Sequence, residues 1–264
     1  MHFPSLALAA ALPARPTQGM VYALDPTLGP TPEAVGQVWG VTASPTVGDN
    51  EVMIGDIQYY PSSGAIFYDR QSVRVPGPGD FPHAITGGQD AIVMAHDYLV
   101  SHGLFRSDEI PIADATAAPS DISGGPGWSI QMARSLGGVP ERGGLTAGAR
   151  LLVTDTGRID GVVVGHRTIA GSQPAGLIDA AEAWRQVTLG HWYSNDGVLD
   201  TSRPTRQPPF VADTVELCYH EQDGFTSQHW FVPFWCFADT RTAPDFTVRL
   251  TSVSYTHLTL PTKA

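Results

Sequence analysis

Glycine and proline constrain this chain more than any motif does. The 28 glycines and 22 prolines interrupt 264 residues so often that regular elements have to be short. Glycine gives the backbone access to positive φ, and proline can continue neither a helix nor a central strand. Many turns and short strands follow, rather than long helices. Between the breaks, 42% hydrophobic residues with 9% aromatics are enough for a packed core.

Reading along the chain, Thr31-Pro32-Glu33 predicts a helix start, with an N-cap hydroxyl, proline at the first helical position and an acid in the first turn. Ala34, Val35, Val38 and Trp39 then recur at helical spacing, and Gly40 stops the helix. Residues 51–60 read as one strand, which Pro61-Ser62-Ser63-Gly64 turns back into residues 65–68. A Pro/Gly-rich link, Val75-Pro76-Gly77-Pro78-Gly79, leads to the clearest helix, residues 89–102, with Ala91, Ile92, Ala95, Tyr98 and Leu99 in one stripe. Residues 110–127 read as loop and 128–136 as a strand. Residues 150–154 and 159–166 form a hairpin about Asp155-Thr156-Gly157. A third helix is expected over 175–187, with Leu177, Ile178, Ala181, Trp184 and Val187 on its apolar face. Strands follow at 211–220, 228–237 and 246–250, with Pro233 demanding a bulge or an edge in the second.

Helices followed by antiparallel strands predict an α+β protein, with helices packed on curved antiparallel sheets in two or three related helix-plus-hairpin modules. The expected organisation is an N-terminal extension or partial signal region over 1–25, a first module over 26–105, a second over 106–252 and a tail over 253–264. Three stretches carry a resemblance to a known group. They are Ile57 to Tyr68, Gly157 to Val164 leading to the Ala180-Ala181-Glu182-Ala183-Trp184 helix, and Val215 to His220 paired with Phe231 to Phe237. Together they resemble bacterial envelope modules of the PepSY-like and YycI-like kind. The resemblance implies an exported or lipid-anchored, non-catalytic protein that modulates a partner, commonly a peptidase or a sensor kinase.

Charge narrows the choice of partner. A net charge of −11 argues against nucleic acid and anionic membrane surfaces, both of which select basic patches. No run of eighteen apolar residues occurs, so nothing in this stretch of sequence is expected to span a bilayer. Catalytic templates fail one after another. The only lysine is Lys263, which removes a phosphate-binding loop of the Gly-Lys-Ser/Thr type, and no Gly-x-Ser-x-Gly elbow is present. His220-Glu221 begins like a zinc-peptidase helix motif, but Gly224 stands where the second histidine belongs; His220, Glu221 and His229 meeting across a hairpin is the remaining metal arrangement, set against a solvated turn. Asp155-Thr156-Gly157 has the form of an aspartic-peptidase loop without a second copy, and reads as a turn. His96-Asp97 and His102 lie near one helix end, where the helix dipole alone accounts for His102. The aromatics Trp230, Phe231, Phe234, Trp235 and Phe237 read as core filling rather than as a ligand groove.

Cys218 and Cys236 fall on neighbouring strands of a hairpin expected to turn near Gly224. That register places Cys218 opposite residues 229–232, so two buried free thiols are the favoured reading, and a bridge requires a displaced register. At the N-terminus, Leu6 to Leu12 is either a short signal core lacking a preceding basic residue or the start of a frame within a gene. At the other end, Val253 to Thr262 resembles the in-frame translation of a transposon-end library adapter, and the single lysine sits just beyond it among 14 arginines elsewhere. The expectation is therefore an extracytoplasmic regulatory or binding module, secreted or anchored to the cell envelope, that contacts a protein partner of the peptidase or sensor type. The alternative is an accessory domain of an extracytoplasmic hydrolase whose catalytic part lies elsewhere. No catalytic, cofactor-binding or metal-binding residue is assigned, and no cofactor is implied.

Overall fold

Helix α1, Pro32–Val38, begins where its chemistry requires: Thr31 is extended, and its Oγ1 accepts from the Ala34 N–H at 3.3 Å. Helix α2, Gly88–Ser101, buries Ala91, Ile92, Met94, Ala95 and Leu99 on one side and ends before Gly103, whose φ is +68°. Helix α3, Ala180–Thr188, starts five residues later than the apolar pattern suggests, because the Asp179 carboxylate caps it by accepting from Glu182 N at 2.8 Å. The residues just before, Ile169–Gly176, form a strand instead.

The computed structural model describes residues 6–13, 18–69, 82–122, 125–143, 147–189, 193–194, 210–221, 227–238 and 249–252. The 75–79 link, the turn at Gly224 and the 253–264 tail lie outside them. Among the described residues the fold is mixed α+β, with three α-helices and mainly antiparallel sheets. No described helix is long and apolar enough to cross a membrane. The chain divides into a central unit, Ala23–Ala170 with Glu221–His229, and a terminal unit made of Met1–Tyr22, Gly171–His220 and Trp230–Ala264.

The central unit is built on an eight-stranded sheet. Its strands are β1 (Thr46–Val47), β2 (Val52–Ile54), β3 (Ile57–Tyr60), β4 (Ala65–Asp69), β5 (Thr116–Ile122), β6 (Gly125–Met132), β7 (Gly148–Thr154) and β8 (Ile159–Gly165). They lie in the order β1-β2-β3-β4-β8-β7-β6-β5, and every pairing is antiparallel. The strand expected over residues 51–60 is thus two, folded about Gly55, whose φ is +60°. The stretch expected as loop over 110–127 contains β5, an edge strand whose Pro119 is tolerated because an edge needs fewer donors. Ala149, Leu151 and Val153 alternate into the core with Ile130 and Met132 from β6 and Val162 and Val164 from β8. Helix α2 covers β5 and β6, and α1 packs on β2 and β3. Burying each large aliphatic side chain of this kind is worth about 1.5–3 kcal/mol, which makes this layer the main source of cohesion in the unit.

Gly148 opens β7 with φ +83°, and a side chain there would strike the Met132 carbonyl oxygen and lie 2.7 Å from Arg134 N. Only glycine lets β7 come this close to the end of β6.

In the terminal unit, β9 (Thr214–Glu221, whose last residue belongs to the central unit) pairs with β10 (Pro233–Ala238), which pairs with β11 (Arg249–Ser252). Leu6–Leu8 runs parallel to Phe210–Ala212. Ala183 and Val187 of α3 pack with Trp235 and Phe237, and the rings of Trp184 and Phe237 lie 5.1 Å apart. Ala183, not the expected Ala181, faces this core, in keeping with the later helix start. Pro233 marks the break between Trp230–Phe231 and β10.

Candidate functional site

A tight turn after α2 organises the polar chemistry of the central unit. Leu104 and Phe105 are buried, and the chain then closes on itself: Glu109 N donates to the Arg106 carbonyl at 3.0 Å, while Arg106 N donates to Glu109 Oε2 at 3.0 Å. Glu109 is thereby fixed as a buried carboxylate. Arg134, just past β6 and 1% exposed, donates to Glu109 Oε1 from Nη2 at 2.8 Å and from Nε at 3.3 Å. Its Nη1 faces Glu141 Oε1 at 3.4 Å and donates to the Arg167 carbonyl at 3.1 Å. Arg167 Nε lies 3.4 Å from Glu221 Oε1, and His166 Nε2 lies 4.0 Å from Glu109 Oε2. Three carboxyl groups and two guanidinium groups are thus enclosed together.

The members of this cluster differ in their hold on protons. Burial opposes ionisation of Glu109, but the contacts from His166 and Arg134 outweigh it, and its carboxyl is held well below the ordinary range. For Glu141 burial wins over the attraction of Arg134 and Arg167, and its carboxyl is pushed up to about 7. Glu141 Oε2 has no hydrogen-bond partner among the described residues, in keeping with a group whose charge is poorly compensated. Burial holds His166 below its usual value, with its ring edge-on to Phe105 at 5.2 Å.

Beside the cluster, the same turn presents Ser107. Its Oγ lies 3.2 Å from His96 Nε2, and His96 Nδ1 lies 3.1 Å from Asp97 Oδ1. His96 is largely buried in α2, whereas Ser107 is exposed. A small cleft in the central unit, lined by Pro26, Ser62, Gly64 and Thr168 among others, has Arg167 of this cluster as its ionisable side chain.

The residues singled out from sequence land as follows. Cys218 and Cys236 form a disulfide, which corrects the expectation of two free thiols. The register is displaced: Cys218 stands opposite Phe234, so Cys236 is a diagonal neighbour with Cα atoms 6.2 Å apart, inside the span a bridge needs. His220 meets the ring of Phe234 at 6.0 Å, Glu221 pairs with Arg167, and His229 is exposed, so these three do not converge. No group of three or more metal-ligating side chains is gathered among the described residues. Asp155-Thr156-Gly157 is the turn between β7 and β8, with Gly157 at φ +82° and the Asp155 backbone engaged by Ile85 and Pro126. His102 Nδ1 donates to the Tyr98 carbonyl at 2.8 Å, capping α2. Phe231, Trp235 and Phe237 are buried, and Trp235 Nε1 donates to the Ile178 carbonyl at 2.9 Å. The Glu109–Arg134–Glu141–Arg167–Glu221 cluster had no sequence signal, since its members are scattered singly over the chain. Ser107 was likewise silent, eleven positions from its histidine.

No family model matches the chain, and no curated protein matches it. Among solved structures it is similar to the crystal structure of an uncharacterized protein from Eubacterium rectale, at 8% identity and a TM-score of 0.44, over 89% of this chain and 82% of that one. A likeness this slight carries no functional argument.

Proposed function

We propose that the protein is a non-catalytic, extracytoplasmic regulatory or binding module that engages a protein partner of the peptidase or sensor type along an edge of its eight-stranded sheet. The observation that carries this reading is the outer strand β1. Both of its residues are exposed, Val47 at 76%, and Met53 on the adjacent β2 is 37% exposed. Thr46-Val47 ends the sheet, so its backbone groups and the Val47 side chain face an added strand. The Cys218–Cys236 disulfide supports an oxidising compartment, secreted or envelope-anchored. The likeness to PepSY-like and YycI-like modules and the recurrence of a helix ahead of antiparallel strands, read as related modules, fit the same role. Charge concentrated in the central unit is met by internal ion pairs, in keeping with a structural use of those residues.

The test is site-specific photo-crosslinking in cells that export the protein. A photoreactive residue at Val47 is expected to give one discrete adduct, identified by mass spectrometry as a peptidase or sensor protein. The same residue at Leu28, which is 59% exposed in a short 3-10 turn and not in a strand, is expected to give none. Equal yields from both positions, or no adduct from Val47, would sink the reading.

A further inference from the structure

We infer that Ser107 is a nucleophilic serine, activated through His96 and positioned with the help of Asp97, that accepts an acyl group from small activated carboxylic esters; this goes beyond the binding role proposed above. The geometry fixes the direction of each hydrogen bond. A carboxylate can only accept, so with Asp97 Oδ1 at 3.1 Å the proton of the neutral imidazole sits on Nδ1. The lone pair of Nε2 then faces Ser107 Oγ at 3.2 Å, and the hydroxyl donates to it. This is the arrangement in which an imidazole removes a serine proton as the oxygen attacks.

Two features hold the pair in place. His96 projects from the packed helix α2, its side chain only 11% exposed, so the ring has little freedom. Ser107 rides on the Arg106–Glu109 turn, which is closed by its own backbone bond and tied to Arg134 through Glu109. The buried charge cluster thus acts as the mount for an exposed hydroxyl. Because Ser107 lies in the open, the substrate it takes is small and needs an intrinsically good leaving group. The Asp97 side chain is 73% exposed, so water screens its contribution and it serves as a positioning residue.

The step is an acyl transfer. Ser107 Oγ adds to the ester carbonyl carbon while its proton passes to His96 Nε2. The bond from that carbon to the alcohol oxygen then breaks, and the alcohol leaves with the bonding pair and regains the proton from the imidazolium. Ser107 remains as an acyl ester.

The experiment uses the full chain with p-nitrophenyl acetate. A stoichiometric burst of p-nitrophenolate is expected, with the acetyl group located on Ser107 by peptide mass spectrometry. Ser107→Ala, a change on an exposed turn, should abolish the burst without altering the denaturation curve. His96→Gln should slow acylation by about 100-fold or more. Asp97→Asn should slow it only a few-fold. Because His96 is buried, the unmutated protein supplies a second readout: its acylation should run slower in deuterium oxide, since a proton moves from Ser107 to His96 as the new bond forms. Acetyl placed on any other residue, His96→Gln reacting at the parent rate, or an unchanged rate in deuterium oxide for the unmutated protein overturns the inference.

Discussion

Glu109, Glu141 and Glu221 face Arg134 and Arg167, so with these five groups ionised and His166 uncharged the cluster carries one uncompensated negative charge. A single proton removes it, and Glu141 is where burial places that proton, with a carboxyl at about 7 against an ordinary 4.5. The sign of the pH dependence follows. A folded value raised above the unfolded one means that the stability Glu141 contributes is fully present below about pH 4.5 and is lost as pH rises through about 7. Glu109, held low, acts oppositely, contributing above its unfolded value and losing that contribution in acid. His166, held down by burial, adds a rise of its own toward its ordinary 6.5. The difference between the parent and Glu141→Gln isolates the contribution of Glu141. Denaturation free energies should therefore show the Gln variant gaining on the parent between about pH 4.5 and 7. Parallel curves would show that Glu141 holds no proton there.

Among the elements, β7 depends on its first residue. An alanine at Gly148 must adopt a left-handed backbone and also push its methyl group against the Met132 carbonyl and Arg134 N. Backbone strain of this kind costs about 1–3 kcal/mol, and the displaced neighbour is the residue that anchors Glu109. Gly148→Ala should therefore lower stability by at least that much in chemical denaturation, and loss of less than about 0.5 kcal/mol would contradict the packing described. Elements with chemical punctuation were legible in sequence. Thr31-Pro32 announced α1, the stripe before Gly103 announced α2, and Asp155-Thr156-Gly157 announced a turn. Where side chains gave no period, the reading failed. Thr116 to Ile122 carries Ala, Pro, Ser and Asp on an edge strand that needs little apolar surface, and it read as loop. Within residues 51–60, the Gly55-Asp56 turn separates two short strands, Val52–Ile54 and Ile57–Tyr60, that together read as one. The candidate site was less legible still. An isolated Arg134 or Glu141 on a short strand looks like a solvent face until the fold brings them together. The cysteines failed for a related reason, since the length of the intervening loop, and not the residue types, decides which positions stand opposite.

At the scale of the whole molecule, the disulfide belongs to one unit and the large aliphatic core to the other. Cys218 and Cys236 enclose a loop of sequence separation 18, for which chain-entropy arguments give about 3 kcal/mol. Replacing both with alanine should lower the stability of the terminal unit by about that amount while leaving the Ile130–Leu151–Val164 core unchanged. Hydrogen exchange resolved by residue is the measurement. Protection lost from β9 and β10 and kept in β6 to β8 is the expected pattern, and uniform loss across both units would refute it. Both sulfurs are buried, so native protein should resist mild reductants and show free thiols only after unfolding.

The parallel pair of Leu6–Leu8 with Phe210–Ala212 closes the terminal unit across nearly the whole length of the chain. On a ribosome adding about 5–20 residues per second, Leu6 waits on the order of 10–40 s before Phe210 has been made. The strands of the central unit, coded between the two, all emerge within that interval and can pair among themselves first. The early apolar segment has to be shielded from other chains until its distant partner arrives, so the hazard of misassembly lies in the interval between the two.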